Sequence, residues 1–268
     1  MAAMPLTVTF DTGALDDVVR LDRPQSPTEP ADAARVRAAV ESGAIRGFFS
    51  ETLITLEGIQ RDDRIAVLGS ARLERNSWSP APNVIAMSLS FRQDRKPLHP
   101  GFSRRIDVAR EIGMRALMAP RLLGSGCCAR DDDGTLFEAP ADLEEFVSKS
   151  TSLRNEIGAR RVGHAAAVNL GLRFSARDGV AEWWYHGLLR AKDIHERRKV
   201  VRAVAEWADG DSIAAHYGYG VELFCSKDHG GRRGGSASIL DPDNRKWIAA
   251  TFGIRFVDMA ELAEMVAA

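Results

Sequence analysis

The sequence has few cysteines, no long apolar run and almost no excess charge, and each shortage excludes a class of protein. Its three cysteines, Cys127, Cys128 and Cys225, are an odd number with one adjacent pair. This pattern supplies neither a disulfide framework nor the ligand spacing of a zinc site. We therefore expect a reduced, cytoplasmic protein.

Long apolar segments and a strong net charge are also missing. No stretch reaches the about 18 apolar residues that a membrane-spanning helix needs, and residues 1–10 lack the features of a signal peptide. We expect no membrane contact. The formal net charge is −1, so no overall field draws the protein to nucleic acid. A local basic patch must therefore meet any anionic partner.

Strand-like and helix-like segments alternate at both ends of the chain. Strands are predicted at residues 7–10, 44–50, 221–228 and 254–258, and helices at 13–19, 30–43, 51–59, 195–208, 210–220, 241–253 and 259–268. This alternation is typical of a parallel sheet covered by helices. We predict an α/β fold with three layers, α/β/α, around a central parallel sheet.

The middle of the chain shows a weaker pattern. Residues 83–93 resemble a strand, and residues 102–120 resemble a helix followed by a strand. We predict a single domain over all 268 residues, with a core of about 5–60 and 200–268. The intervening residues, about 61–199, are predicted to form a mostly helical insertion.

Asp11 follows the first apolar strand, and three interpretations compete for it. The triplet Asp11-Thr12-Gly13 is that of aspartic proteases, whose two catalytic carboxylates share a proton. The nearest second triplet, Asp211-Ser212-Ile213, ends in the wrong residue, and a helix follows Asp11. Asp11 as an ordinary helix cap is the second interpretation. A metal-binding carboxylate is the third.

Other carboxylates are predicted at the same edge of the sheet as Asp11. Asp228 ends a strand, Asp211 opens a helix, and Glu57 lies in the helix after the second strand, with Glu51 as the alternative. Each aspartate alone is equally a cap or turn residue. Together they form a cluster that needs a cation to stay ionised. Oxygen ligands select Mg²⁺ or Mn²⁺, which activate water and clamp phosphodiester oxygens.

These segments resemble the PIN-domain ribonuclease family. The resemblance covers roughly residues 5–60 and 200–268, and it is carried by "VTFDTG", "FFSETLITLEGI", "GDSIAAHYGYGVELFCSKD" and "FGIRFVDMAELAEMV". Two features depart from the family pattern. The family glutamate usually lies one position earlier, where this chain has Leu56, and the compact members are shorter. A one-residue slip rotates a helical side chain by about 100°.

The resemblance implies an endoribonuclease that depends on Mg²⁺ or Mn²⁺. Asp11, Asp211 and Asp228 would bind the metal with Glu57 or Glu51, while Thr12, Ser226 and Asp209 would support these ligands. The implied partners are RNA, single-stranded or structured, and an inhibitor protein like those that neutralise toxin relatives; a homodimer is left open. Two alternatives also remain: a non-catalytic module that binds RNA or protein, and a nuclease that cuts DNA.

Two basic segments are the predicted contacts to the RNA backbone. Arg232 and Arg233 lie between glycines directly after Asp228, and Arg197 and Arg198 lie on a predicted helix. Arginine forms strong, geometrically defined bonds with phosphate. A surface loop and a solvated helix face are the ordinary alternatives for these two segments.

Overall fold

The computed structural model describes residues 4–20, 29–92, 94, 96–119, 134–228 and 238–267. Its central element is a parallel sheet of six strands in the order β6-β5-β2-β1-β7-β8. These strands are β1 Leu6–Phe10, β2 Ile45–Ser50, β5 Arg115–Leu117, β6 Phe137–Glu138, β7 Leu223–Cys225 and β8 Arg255–Val257. A separate antiparallel hairpin joins β3 Arg72–Ala81 to β4 Val84–Arg92.

Helices connect and cover the strands. They are α1 Thr12–Val19, α2 Glu29–Glu41, α3 Arg61–Gly69, α4 Pro100–Glu111, α5 Leu143–Ala159, α6 His164–Arg177, α7 Trp184–Leu188, α8 Ile194–Tyr219, α9 Pro242–Phe252 and α10 Met259–Met265. One π-helical turn, Leu53–Glu57, follows β2. Within the part of the chain that the structure describes, no helix combines the length and apolarity needed to cross a membrane.

Adjacent residues along a strand pack into different hydrophobic cores on the two faces of the sheet. Phe49 and Cys225 pack into the core that contains residues of α1, α2, α4 and α10. Phe48 and Phe224 point to the opposite face, where α8 covers the sheet. This alternation follows from the two-residue period of a strand, and parallel sheets are usually buried on both faces. The predicted α/β fold with a central parallel sheet is confirmed, and the two cores are compatible with three layers.

Residues 61–199 contribute to the main sheet as well as to its cover. The helix and strand predicted at 102–120 are α4 and β5, and β5 pairs with β2 of the predicted core. The other elements that the structure describes in this segment are the hairpin, β6, helices α3, α5, α6 and α7, and the start of α8. The two helices predicted at 195–208 and 210–220 are one continuous helix, α8.

Helices α6 and α7 meet through their backbones at two glycines. A Cβ atom on Gly171 would lie 1.8 Å from the carbonyl oxygen of Trp184, and one on Gly187 would lie 2.1 Å from the carbonyl oxygen of Gly171. No side chain fits at either position unless the helices separate. The contact therefore fixes α7 against α6.

This contact predicts that Gly171→Ala lowers the free energy of unfolding by about 3 kcal/mol, because the added methyl group forces the helices apart. An ordinary helical Gly→Ala change instead stabilises by about 1 kcal/mol. Gly158→Ala in α5 is the matched control, since a Cβ atom added there would meet no other segment of the chain within 4 Å. Urea denaturation of both variants measures the difference. Equal stability of the two variants would contradict the contact.

Candidate active site

The order of the strands marks one position on the sheet. From β1 the chain adds β2, β5 and β6 on one side, and it later adds β7 and β8 on the other. The direction of winding therefore reverses between β1 and β7. In open α/β sheets, ligands bind beyond the carboxyl ends of the strands at such a reversal.

Asp11 and Ser226 leave the sheet side by side at this reversal. Phe10 pairs with Cys225, and the Asp11 amide donates to the Cys225 carbonyl oxygen at 3.0 Å. The Asp11 Oδ1 atom accepts from the Ala14 amide at 2.6 Å, and its Oδ2 atom accepts from the Ser226 hydroxyl. Asp11 therefore caps α1 and also faces the end of β7, so a capping role leaves its second carboxylate oxygen directed at the site.

Asp228 is held at the same place by its backbone. Its amide donates to Ser226 Oγ at 3.1 Å, and the Arg245 guanidinium donates to its carbonyl oxygen. The charge of Arg245 also acts on the carboxylates of Asp11 and Asp228. No motif in the sequence points to Arg245, which lies in α9.

Glu57 contacts Thr12, the residue that follows Asp11, and lies in a π-helical turn. Its carboxylate accepts a hydrogen bond from the Thr12 hydroxyl. The turn that carries it is π-helical and is closed by the bond from the Gly58 amide to the Leu53 carbonyl oxygen, at 2.7 Å. A π-helical turn holds one residue more than an α-helical turn.

Two nearby residues have other roles around this turn. Glu51 accepts a bond from the Ala119 amide at 2.8 Å, and its own amide donates to the Leu117 carbonyl oxygen. It thus lies at the end of β5 and not beside Thr12. Arg64 of α3 donates to the Glu57 carbonyl oxygen at 2.6 Å and so holds the end of the turn.

Asp209 and Asp211 lie on different sides of α8. Residues that are two positions apart in an α-helix differ by about 200° around its axis. Burial, and after it the nearby Glu57 carboxylate, raise the pKa of Asp209 well above its usual value. Asp211 is buried, and its Oδ2 atom accepts from the Trp207 indole at 2.7 Å. The structure therefore places Asp209 with the other carboxylates, although the motif pointed to Asp211 as the ligand.

The grouped carboxylates oppose one another's ionisation. Burial raises the pKa of Asp11, and the charge of Asp228 adds to this, while hydrogen bonds from Ala14 and Ser226 act against it. Burial also raises the pKa of Glu57, and the charge of Asp11 adds to it. The site therefore holds more negative charge than its surroundings readily accommodate.

These residues fit a hard divalent cation in donor type and in charge. Asp11, Glu57, Asp209 and Asp228 offer only carboxylate oxygens, the ligands that Mg²⁺ and Mn²⁺ prefer. Burial is the main cause of the raised pKa values of Asp11, Glu57 and Asp209, and neighbouring carboxylates add to it. A bound cation would favour the ionised forms. Among the described residues, no three Asp, Glu, His or Cys side chains are drawn together at the spacing of a finished metal site. The cluster is thus a set of donors near one another and not a preformed cage.

A groove of about 810 Å³ opens beside Thr12 and Glu57 and runs along α8. The predicted contacts Arg197 and Arg198 line it, whereas Arg232 and Arg233 lie outside the described residues. The remaining lining residues are Arg64, Ile65, Ala66, Leu188, Leu189, Ala191, Ile194, Val201, Arg202 and Ala205. One continuous surface therefore joins Glu57, the carboxylate that lines the groove, to a row of arginines.

No protein-family model, curated protein or solved structure matches this chain. The class of site is accordingly defined by geometry alone. It is a carboxylate cluster at the point where a parallel sheet reverses its winding, and it opens into a basic groove.

The raised pKa of Asp209 predicts how stability responds to pH. Because the folded-state pKa exceeds the unfolded value, the folded state binds more protons, and this contribution to stability is lost as pH rises through the folded pKa. Asp209→Asn cannot ionise. We expect it to be more stable than the wild type at pH 8 by about 1 kcal/mol or more without cations, to keep a smaller advantage at pH 5, and to lose it only below the ordinary aspartate pKa of 3.8.

Urea denaturation at pH 5 and pH 8 in EDTA measures this effect. Asp107→Asn, on the exposed face of α4, is the matched control and should follow the wild type at both pH values. Added Mn²⁺ should raise the Tm of the wild type more than that of Asp209→Asn, because a ligand stabilises the state that binds it. A variant less stable than the wild type at pH 8 would contradict the assignment.

Proposed function

We propose that this protein is a metal-dependent nuclease with a PIN-like fold, which hydrolyses phosphodiester bonds in RNA. One observation carries the proposal: Asp11, Glu57, Asp209 and Asp228 come from four separate segments and gather beside a groove lined by arginines. Asp11 is buried, Glu57 and Asp209 are half-buried and Asp228 is exposed. A fold rarely concentrates carboxylates in this way unless they have a function, since each raises the cost of ionising the others.

The chemistry of such a site divides between the cation and the chain. A bound Mg²⁺ or Mn²⁺ supplies a Lewis acid and a water of lowered pKa. The four carboxylates would hold it. The Ser226 hydroxyl orients Asp11, and the Thr12 hydroxyl orients Glu57. Hydrogen bonds of this kind to metal-binding side chains typically affect activity by about 10-fold to 100-fold.

The PIN-like assignment is supported by where the sequence motifs lie. The segments that carry the resemblance provide β1, the π-helical turn after β2, the second half of α8 with β7, and β8 with α10. Three of these bring their acidic residues to the carboxyl edge of the sheet. Asp209 takes the place that the motif gave to Asp211. An inhibitor protein that covers the groove remains part of the proposal through the same resemblance.

Cleavage of labelled RNA and DNA in Mn²⁺ or EDTA tests the proposed function. The wild type and Asp107→Asn should cut RNA in Mn²⁺ only, and Asp11→Asn should lose about 100-fold or more of this activity. Cleavage that persists in EDTA or in Asp11→Asn would overturn the proposal. Cleavage of DNA alone would favour the DNA-directed alternative, and binding without cleavage would favour a non-catalytic module.

Two pairs of variants test which acidic residues belong to the site. We expect Asp209→Asn to cost more activity than Asp211→Asn, and Glu57→Gln more than Glu51→Gln. The charges of other carboxylates act on Asp209 and Glu57, whereas Asp211 accepts a bond from Trp207 and Glu51 one from Ala119. Denaturation curves identify any loss that comes from unfolding. The reverse order in folded variants would restore the assignment based on the motif.

A further inference from the structure

Two sets of basic side chains around α6, α7 and α8 differ in how their charges are balanced. The first set is neutralised within the protein: Arg177 pairs with Asp178 and Glu196, Arg190 with Asp178 and Glu182, and Lys192 with Asp178. The second set lines the groove and consists of Arg197, Arg198 and Arg202. Its members form no ion pair with any residue in the described part of the chain, and all three are exposed.

Without a bound anion, the second set of arginines destabilises helix α8. Arg198 and Arg202 are four residues apart on α8, so their like charges lie on neighbouring turns and repel. Glu206, the next acidic residue on this face, is influenced by the charge of Arg202, but its carboxylate also accepts a hydrogen bond from the Ile239 amide at 3.0 Å. An external anion would relieve the repulsion.

Two of the arginines, Arg198 and Arg202, share one face of α8 with Asp209 of the carboxylate cluster. Arg198, Arg202 and Asp209 are separated by four and seven residues, which places them within about 40° of one another around the helix. Along the axis, Arg202 lies about 10 Å and Arg197 about 18 Å from Asp209, at about 1.5 Å per residue. The basic stretch therefore lies at a fixed distance from the candidate reaction centre.

The groove also has an apolar side. Leu189 and Ile194 line it and are 51% and 56% exposed. A polynucleotide strand offers phosphates to the arginines and apolar base faces to such residues, whereas an acidic peptide offers mainly charge. The combination of the two walls favours the polynucleotide.

We propose that Arg197, Arg198 and Arg202 form a remote phosphate subsite, which grips a polynucleotide strand away from the bond to be cut. For a stacked strand that advances about 3.4 Å per nucleotide, the contacts fall about three to five nucleotides from the carboxylates. The protein thus requires a strand long enough to occupy both the arginine subsite and the carboxylate cluster. This inference rests on the proposed nuclease function, because the strand must also occupy the carboxylate site. The arginine subsite itself is a binding property.

Binding tests the subsite independently of cleavage. Fluorescence anisotropy would compare oligonucleotides of about 3 and about 12 nucleotides on the Asp11→Asn protein, with and without Arg198→Ala and Arg202→Ala together. We expect the double change to weaken binding of the longer strand by about 10-fold or more and to reduce its salt slope by about 1.4, the value for two lost phosphate contacts. Binding of the short strand should hardly change.

Lys199→Ala is the matched control, since Lys199 is exposed on the same helix but does not line the groove. It should leave both the affinity and the salt slope close to those of the parent protein. Equal losses for Lys199→Ala and the arginine change, or displacement of the strand by poly-glutamate at the same charge concentration, would overturn the polynucleotide subsite.

Kinetics separate the failure of the subsite from the failure of the nuclease. With the otherwise wild-type protein, the arginine change should raise KM for the long strand and leave kcat unchanged, because it removes binding away from the reacting bond. Cleavage with equal KM for both proteins would overturn the subsite and leave the nuclease standing. Arginine-dependent binding without any cleavage would support the subsite and overturn the nuclease.

Discussion

The parallel pairing of β1 with β7 is the constraint on which the candidate site depends. It joins Asp11 to Ser226 across 215 positions of sequence. Once Phe10 and Cys225 are paired, the residues that follow them leave the sheet at the same level. The neighbouring strand β2 leads into the π-helical turn, and α8 packs on the same sheet. A slip of one residue between β1 and β7 would turn the alternating side chains to the wrong faces and would separate these groups.

Asp11 shows how structural and chemical roles combine in one side chain. Its Oδ1 atom caps α1, and its Oδ2 atom accepts from Ser226. A cap of this kind contributes about 1 kcal/mol, and asparagine caps a helix about as well as aspartate. Replacement by asparagine therefore removes the negative charge and keeps the helix start. The protein retains the carboxylate although burial and Asp228 both oppose its ionisation.

The sequence alone predicts the parts of this molecule that depend on local pattern. The alternation of strands and helices, and the polar residues after β1 and β7, are of that kind. It does not predict β6, because two residues are too few to show a period. The choice between Asp209 and Asp211 depends on which side of α8 faces the sheet, and a motif holds no information about that rotation. The π-helical turn and the position of Arg245 are set by contacts between distant segments.

The backbone contact at Gly171 and Gly187 has a consequence for the groove. Leu188 and Leu189, which directly follow the second glycine, form part of the groove wall. Since α7 cannot slide over α6, this wall is complete before any ligand arrives, and association need not lose entropy by ordering it. On this side the wall of the groove keeps a fixed shape. A flexible ligand must adopt the shape of the surface, and a stiff ligand of a different outline is excluded by steric mismatch alone.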